Sequence, residues 1–395
     1  MSIRGSTRFQ ALSKRLTRKL KEHTEESFPP DAQKTMRKFA MREAADFLKI
    51  NQNTFRHYVS SMSDRIPTGE LDKSNRRYFT LEEIHGIQRV LFEEGKTDPK
   101  IYPRRQGDEP CMVITCFNLK GGSSKTSTTV SLGQSLACAG FKVLLVDSDS
   151  QASLTNMFGI TPEYESDMLT LYDTIRYEEP VVAREVIQKT YFPNIDIIPA
   201  SMSLMEFEYE TALSFRNPKQ AGAFHTRIAL ALQPVLPHYD VVIFDTPPQL
   251  SFAVIAALFA SRGVLIPLNA SMLDVMSLAS FLGMAGNLLE VVEAHAPDHG
   301  FDFVKLLITR FEATDQPSVQ MASFLRTVLS ESVMAAEFVK STAIGDAATS
   351  KQTVFEVEPR EVNRKTYDRA IESINRITSE IETEIFKVWG RSNGT

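Results

Sequence analysis

The segment Phe117-Asn118-Leu119-Lys120-Gly121-Gly122-Ser123-Ser124-Lys125-Thr126-Ser127 constrains this chain more than any other stretch. Ahead of it, Met112 to Cys116 is short, apolar and β-branched, and reads as a buried strand. Behind it, Thr128 to Ala139 carries Val130, Leu132, Leu136 and Ala137 at helical spacing. A strand, a glycine-containing loop ending in Lys-Thr and a helix make a cradle for nucleotide phosphates. Gly121 and Gly122 let the backbone come close to the phosphates, and the helix N-terminus adds a favourable dipole. In such a cradle Lys125 reaches the β- and γ-phosphates, the Thr126 hydroxyl ligands Mg²⁺, and Ser123, Ser124 and Ser127 complete the lining. Ser124 stands where glycine is commoner, and a second lysine, Lys120, opens the loop with no evident task in its own subunit.

From Cys111 onward, apolar strand-like runs alternate with helical ones, which argues for a parallel sheet covered on both faces. The runs are Lys142 to Asp147, Asn194 to Pro199, Asp240 to Asp245, Gly263 to Leu268 and Phe303 to Ile308, with Phe338-Val339 as an edge strand. Asp147 and Asp149 at one strand end and Asp245 at another collect at the C-terminal edge of such a sheet, beside the loop. Asp245 suits Mg²⁺, directly or through water. Of Asp147 and Asp149, one holds the water or the magnesium shell and the other braces the loop. The helix from Val275 to Glu293 is largely apolar and is expected to be buried. The last helix, Lys365 to Val388, aligns Ile374, Ile377, Ile381, Ile385 and Val388.

The Lys-Gly-Gly-x-x-Lys-Thr form of the loop resembles the deviant Walker A motif of the ParA/MinD family of ATPases, and the likeness spans residues 111–390. Asp147 to Gln151 is similar to the family's second motif, with Ser150 in place of its proline. Asp245 to Pro248 resembles its Walker B strand, Leu265 to Asp274 its later block, and Leu307 to Phe311 the segment near the adenine. The resemblance implies a P-loop NTPase fold that takes ATP, ADP and Mg²⁺ and hydrolyses ATP, slowly without a partner. It also implies that Asp149 positions the attacking water. Lys120 would then reach across a nucleotide-sandwich homodimer to act, with Lys125, on the phosphates.

Charge is unevenly spread. Residues 1–110 hold 22 Lys and Arg against 16 Asp and Glu, a net of +6, whereas the whole chain is at −5. A basic front module suggests a polyanionic target. Residues 1–35 open with a candidate helix from Ser6 to His23, whose Phe9, Leu12, Leu16 and Leu20 form a stripe that packs on its own domain or on a second copy. Phe28 to Asp31 breaks it. In residues 36–95, Ala44, Ala45, Phe47 and Leu48 mark one helix, Lys49 to Asn51 a turn, and a second helix presents Asn53, Thr54, Arg56 and His57. A basic β-like segment with Arg76 and Arg77 follows, then a helix with Thr80 and Glu83 as capping box. These signals read as a winged helix-turn-helix DNA-binding domain. Residues 96–110 are the expected linker, and residues 111–395 the ATPase domain.

That front extension is similar to the long plasmid-type members of the family, above all the RepA type of RepABC plasmids. The likeness implies DNA segregation, repression of the protein's own operon, and a centromere-binding partner of ParB/RepB type. It also implies nonspecific DNA binding by late basic residues, here Arg360, Arg364, Lys365 and Arg369. A solvated helix start beside Glu356, Glu358 and Glu361 is the alternative for that cluster. A nucleotide-tuned repressor without a segregation role is the alternative for the chain.

Other classes fit poorly. Cys111, Cys116 and Cys138 have neither zinc spacing nor a disulfide framework, and they do not suit a cluster bridging two subunits. The first residues lack a signal-peptide core, and no uninterrupted apolar run approaches the roughly 20 residues of a membrane helix. Glu380, Glu382 and Glu384 make the last helix too acidic for a membrane-seeking amphipath. A cytoplasmic, nucleoid-associated protein that makes no membrane contact is the expectation.

Overall fold

The computed structural model describes residues 5–27, 34–162, 167–216, 224–293, 300–341, 352–360 and 362–391. The expected break at Phe28 to Asp31 and the acidic neighbour Glu361 lie outside them. The chain divides into two units, Met1–Thr35 and Met36–Thr395. In the first, helix α1 (Gly5–Ser27) leaves Phe9, Leu12 and Leu16 exposed.

The second unit begins with a small antiparallel sheet and three helices. Strands β1 (Phe39–Ala40), β2 (Glu70–Leu71) and β3 (Arg77–Phe79) pair in the order β1-β3-β2. Helix α2 (Met41–Phe47) turns through Lys49, at φ 54°, into α3 (Gln52–Ser61), whose first turn is capped by the Asn51 side chain. Helix α4 (Leu81–Glu93) starts on the expected capping box. Thr80 Oγ1 accepts from the Glu83 amide at 3.2 Å, and the Glu83 carboxylate accepts from the Thr80 amide at 2.8 Å.

Then the chain alternates: β4 (Met112–Cys116), α5 (Lys125–Ala139), β5 (Val143–Asp147), α6 (Ser153–Met157), α7 (Leu171–Ile175), α8 (Ala183–Val186), β6 (Gln188–Lys189), β7 (Ile195–Ile198), α9 (Leu204–Ser214), α10 (Arg227–Leu232), β8 (Val241–Asp245), α11 (Phe252–Ala260), β9 (Gly263–Asn269), α12 (Met272–Glu293), β10 (Phe303–Phe311), α13 (Gln316–Leu329), β11 (Phe338–Val339) and α14 (Arg364–Val388). The sheet order is β11-β10-β9-β4-β8-β5-β7-β6. Strands β4, β5, β7 and β8 are buried along their whole length, which is why they are continuous apolar runs without alternation. Helix α5 lies close on the sheet, because a Cβ at Gly133 would stand 2.8 Å from Leu145 Cδ2.

Two expectations need correction. The sheet is not wholly parallel, since β6 runs antiparallel to β7. The link from Lys189 to Ile195 is too short for a crossover, which takes about a dozen residues, so the chain turns straight back. Helix α12 is not buried. Leu278, Phe281 and Ala285 pack on the β9–β10 side, while Met272, Leu273 and Met276 are at least 60% exposed. Its apolar residues run all the way round, and a sheet can cover only one stripe. Met272–Glu290 is long and apolar enough to cross a membrane by length and composition alone.

The front elements and the sheet share one core. Phe39, Phe55, Phe79, Ile84, Ile87 and Leu91 join Leu136, Ala137 and Phe141 at the end of α5 and Ile377, Ile381 and Ile385 of α14. At this junction His85 Nε2 is 2.8 Å from the Ala137 carbonyl, and Gln88 Nε2 donates to the Ala139 carbonyl at 2.8 Å. Lys49 pairs with Glu382 at 2.6 Å. Residues 96–110 are tied along this body. Tyr102 stacks on Phe92 at 3.8 Å, Arg391 donates to the Arg104 carbonyl, and the Arg105 amide donates to Asp240.

Candidate active site

The loop between β4 and α5 lies at the C-terminal edge of the sheet, where the ends of β5 and β8 also open. At Gly121 and Gly122 a Cβ would meet nothing within 4 Å, so the backbone there faces open space. Gly122 needs its glycine for φ 75°, and Ser124 takes φ 72° without one, at the N-cap of α5. The Ser124 side chain makes no capping hydrogen bond. Ser123 is buried and its carbonyl accepts from Thr309 Oγ1 at 3.1 Å, which ties the loop to β10. Ser127 lies partly buried in the first turn of α5.

Lys125 is buried, and its ammonium donates to the Lys120 carbonyl at 3.2 Å. Burial lowers its pKa, opposed by the nearby carboxylates of Asp245 and Asp149. Thr126 Oγ1 donates to Asp245 Oδ2 at 2.6 Å. Asp245 is fully buried and its Oδ1 has no hydrogen-bond partner. Burial first and Asp147 second push its pKa well up.

Asp147 and Asp149 divide their work. Asp147 is fully buried and accepts from the Thr155 hydroxyl at 2.7 Å and from the amides of Thr155 and Asp149 at 2.9 and 3.1 Å. Burial raises its pKa to about 6 against those donors. It braces the loop onto α6. Asp149, only partly buried, accepts from the Gln151 amide at 2.9 Å and keeps acceptor capacity at the edge of the sheet.

Lys120 corrects an expectation, because it has a task in its own chain: it is ion-paired with Asp274. The Asp274 side chain is 7% exposed and the Lys120 side chain 41%. Ser271 Oγ holds Asp274 Oδ2 at 2.6 Å. No local signal marks Asp274 as a partner, for it stands 154 positions from Lys120.

These groups suit a magnesium nucleotide. Asp245 and Asp149 act on one dampened ammonium, and the unpartnered Asp245 oxygen is the kind of atom a cation satisfies. Thr126 and Asp245 are hard oxygen donors, of the few that Mg²⁺ takes from protein when phosphates supply the rest. Among the described residues no three His, Cys, Asp or Glu converge on a metal position.

Candidate DNA contacts fall on a different face. Asn53, Thr54, Arg56 and His57 are exposed on α3, and Arg56 donates to Asn53 at 3.2 Å. Arg76 is exposed beside β3, and Arg77 donates to the Thr68 carbonyl. A groove of about 810 Å³ between α3 and the β2–β3 pair is lined by Arg42, Arg56, Arg76, Arg77 and Tyr78. Arg42 escaped the sequence reading because nothing in its helical pattern sets it apart. Of the late cluster, Arg364 and Lys365 are exposed, Arg360 meets Tyr78, and Arg369 donates to the Lys340 carbonyl at 2.8 Å.

A mostly parallel sheet with a phosphate loop running into α5, and an aspartate of the adjoining strand on its threonine, defines a P-loop NTPase. Residues 111–294 match a family model described as an AAA domain. A replication protein A of Rhizobium rhizogenes is 39% identical over 379 residues, 95% of this chain and 93% of that relative. SopA of Escherichia coli is 26% identical over 343 residues, covering 83% of this chain and 82% of its own. McdA of Cyanothece, solved as an ATP complex, has a TM-score of 0.57 at 19% identity over 69% of this chain and 97% of its own, a likeness of fold. With such identity along nearly its whole length to a replication protein A, the chain belongs to the ParA family of P-loop ATPases, in the RepA group.

Proposed function

We propose that this ATPase segregates plasmid DNA. Two copies close around ATP and Mg²⁺, the dimer holds DNA without sequence preference on the nucleoid, and a centromere-bound ParB/RepB-type partner stimulates hydrolysis and release. Residues 36–95 act as a winged helix-turn-helix that reads an operator through α3 and represses the protein's own operon.

The observation that carries the reading is the placement of two lysines on one loop. Lys125 is buried toward Asp245, whereas Lys120 stands at the surface, 41% exposed. Lys125 would serve the nucleotide of its own protomer, and Lys120, once released from Asp274, could reach that of a neighbour. Lys125 and the α5 N-terminus would neutralise phosphate charge, and Thr126 with Asp245 would hold Mg²⁺. Bound Mg²⁺ supplies Lewis-acid stabilisation of charge on the phosphates. Asp149 would orient the attacking water, and Asp147 fixes the turn that carries it. Arg56, Arg76 and Arg77 supply a basic groove whose charge suits a phosphate backbone.

The test is DNA binding by the purified protein with no nucleotide, ADP or ATP, on the DNA upstream of its coding sequence and on a scrambled duplex. ADP favouring the upstream duplex and ATP favouring the scrambled one assigns both roles. Upstream binding with no ATP-dependent scrambled binding leaves only the repressor.

A further inference from the structure

The two sets of candidate DNA-binding residues meet. Arg360, exposed before α14, donates from Nη2 to the Tyr78 hydroxyl at 3.4 Å, and Tyr78, in the central strand β3, lines the groove. The meeting is anchored from behind by Arg37, whose side chain is only 5% exposed. Its guanidinium donates to Glu43 of α2 at 2.6 Å, to Tyr367 of α14 at 2.9 Å and to the Phe355 carbonyl at 3.1 Å. It also lies 4.3 Å over the Phe39 ring of β1. A buried charge with its partners satisfied on three elements holds β1, α2 and the first turn of α14 in one fixed arrangement.

Cations therefore continue from the groove onto α14. Arg42, Arg56, Arg76 and Arg77 line the groove, Arg360 borders it at Tyr78, and Arg364 and Lys365 are exposed at the start of α14, four and five positions later in the chain. Of the acidic groups nearby, Glu70 pairs with Lys38 at 2.5 Å and Glu43 with Arg37, while Glu358 adds negative charge beside Arg37 and Asp368 offsets part of Arg364 at 3.6 Å. Duplex DNA carries a charge about every 1.7 Å of its axis, so cations beyond the groove would extend the phosphate track that the groove alone can meet. Arg369, a turn further into α14 with its guanidinium on the Lys340 carbonyl at 2.8 Å, is not counted in this set.

We propose that Arg360, Arg364 and Lys365 belong to the operator-binding face, so that operator and nonspecific duplexes compete for one shared phosphate track. This inference rests on the helix-turn-helix reading of residues 36–95. It predicts that specific and nonspecific DNA are alternatives for a protomer, never held together.

The test compares the full-length wild type with a triple variant, Arg360→Ala, Arg364→Ala and Lys365→Ala, by fluorescence anisotropy over a salt series on the upstream duplex and on a scrambled one. The expected result is about tenfold weaker binding of the upstream duplex, with a log–log salt slope shallower by one to three, and scrambled duplex displacing upstream duplex from the wild type. Arg360→Lys should retain most of the affinity, as charge and not shape is at stake. Unchanged upstream affinity and slope in the triple variant, or a wild-type protomer holding both duplexes, overturns the shared track. Arg56→Ala separates the two layers. If it leaves upstream binding intact, the helix-turn-helix reading falls and the shared track with it; if it abolishes binding while the triple variant does not, only the shared track falls.

Discussion

Lys120 of the phosphate loop is ion-paired with Asp274, the third residue of α12, within the same chain. Under the proposed function, reaching another protomer's nucleotide would require Lys120 to leave this partner, so the pair would oppose dimerisation. With one member half-exposed, it contributes under about 1 kcal/mol to stability. Asp274→Asn is expected to leave the thermal midpoint nearly unchanged and to lower the ATP-analogue concentration at which dimers form, read by light scattering. Lys120→Ala should abolish the dimer while fluorescent-ATP affinity stays within a few fold.

Asp245 is held at a cost. Its carboxyl is fully buried, burial raises its pKa, and one oxygen has no partner. Asp245→Asn removes that penalty, so the nucleotide-free protein should be more stable by about 1–2 kcal/mol in denaturant titration. Magnesium-dependent hydrolysis should fall by about a hundredfold or more, since the anionic carboxylate that would share the cation is replaced by a neutral amide.

Ser124 at φ 72° is in the left-handed region that favours glycine. Ser124→Gly is expected to stabilise the fold by about 0.5–1 kcal/mol, the relieved strain outweighing glycine's greater freedom when unfolded. A calorimetric midpoint that falls instead would show that the serine makes a compensating contact.

His85, buried against the end of α5, has its pKa pushed down to about 4 by burial, although the Ala137 carbonyl opposes the shift. A folded pKa below the ordinary value of about 6.5 means the unfolded chain takes the proton first. Stability from this group is thus complete above pH 6.5 and declines as pH falls toward 4, by on the order of 2–3 kcal/mol. Asp147, raised to about 6, works the other way, losing stability as pH rises from about 4 to 6. Comparing the wild type with His85→Gln by chemical denaturation at pH 7 and pH 5 isolates the histidine. The variant should gain on the wild type at the lower pH.

Much of the phosphate site was legible because its signals are local. A β-branched run, two glycines and Lys-Thr before a helix dictate strand, loop and dipole within a few residues, and Thr80 with Glu83 closes its box over a single turn. The sequence also marked Asp147, Asp149 and Asp245 as strand-end carboxylates, but it left open which one braces. Thr155 decided that, by donating twice to Asp147.

The sequence by itself determined the alternating α/β order, the phosphate loop and its magnesium-suited partners, since periodicity and turn chemistry act between near neighbours. Only the tertiary structure decided that Lys120 is held by Asp274, that β6 turns back antiparallel, and that α12 stays half in solvent. It alone also set Arg37 against Tyr367, 330 positions away, and so brought the front elements and α14 together. Those outcomes depend on which surfaces meet when the sheet closes. Packing and charge pairing across long separations leave no period or motif in the chain.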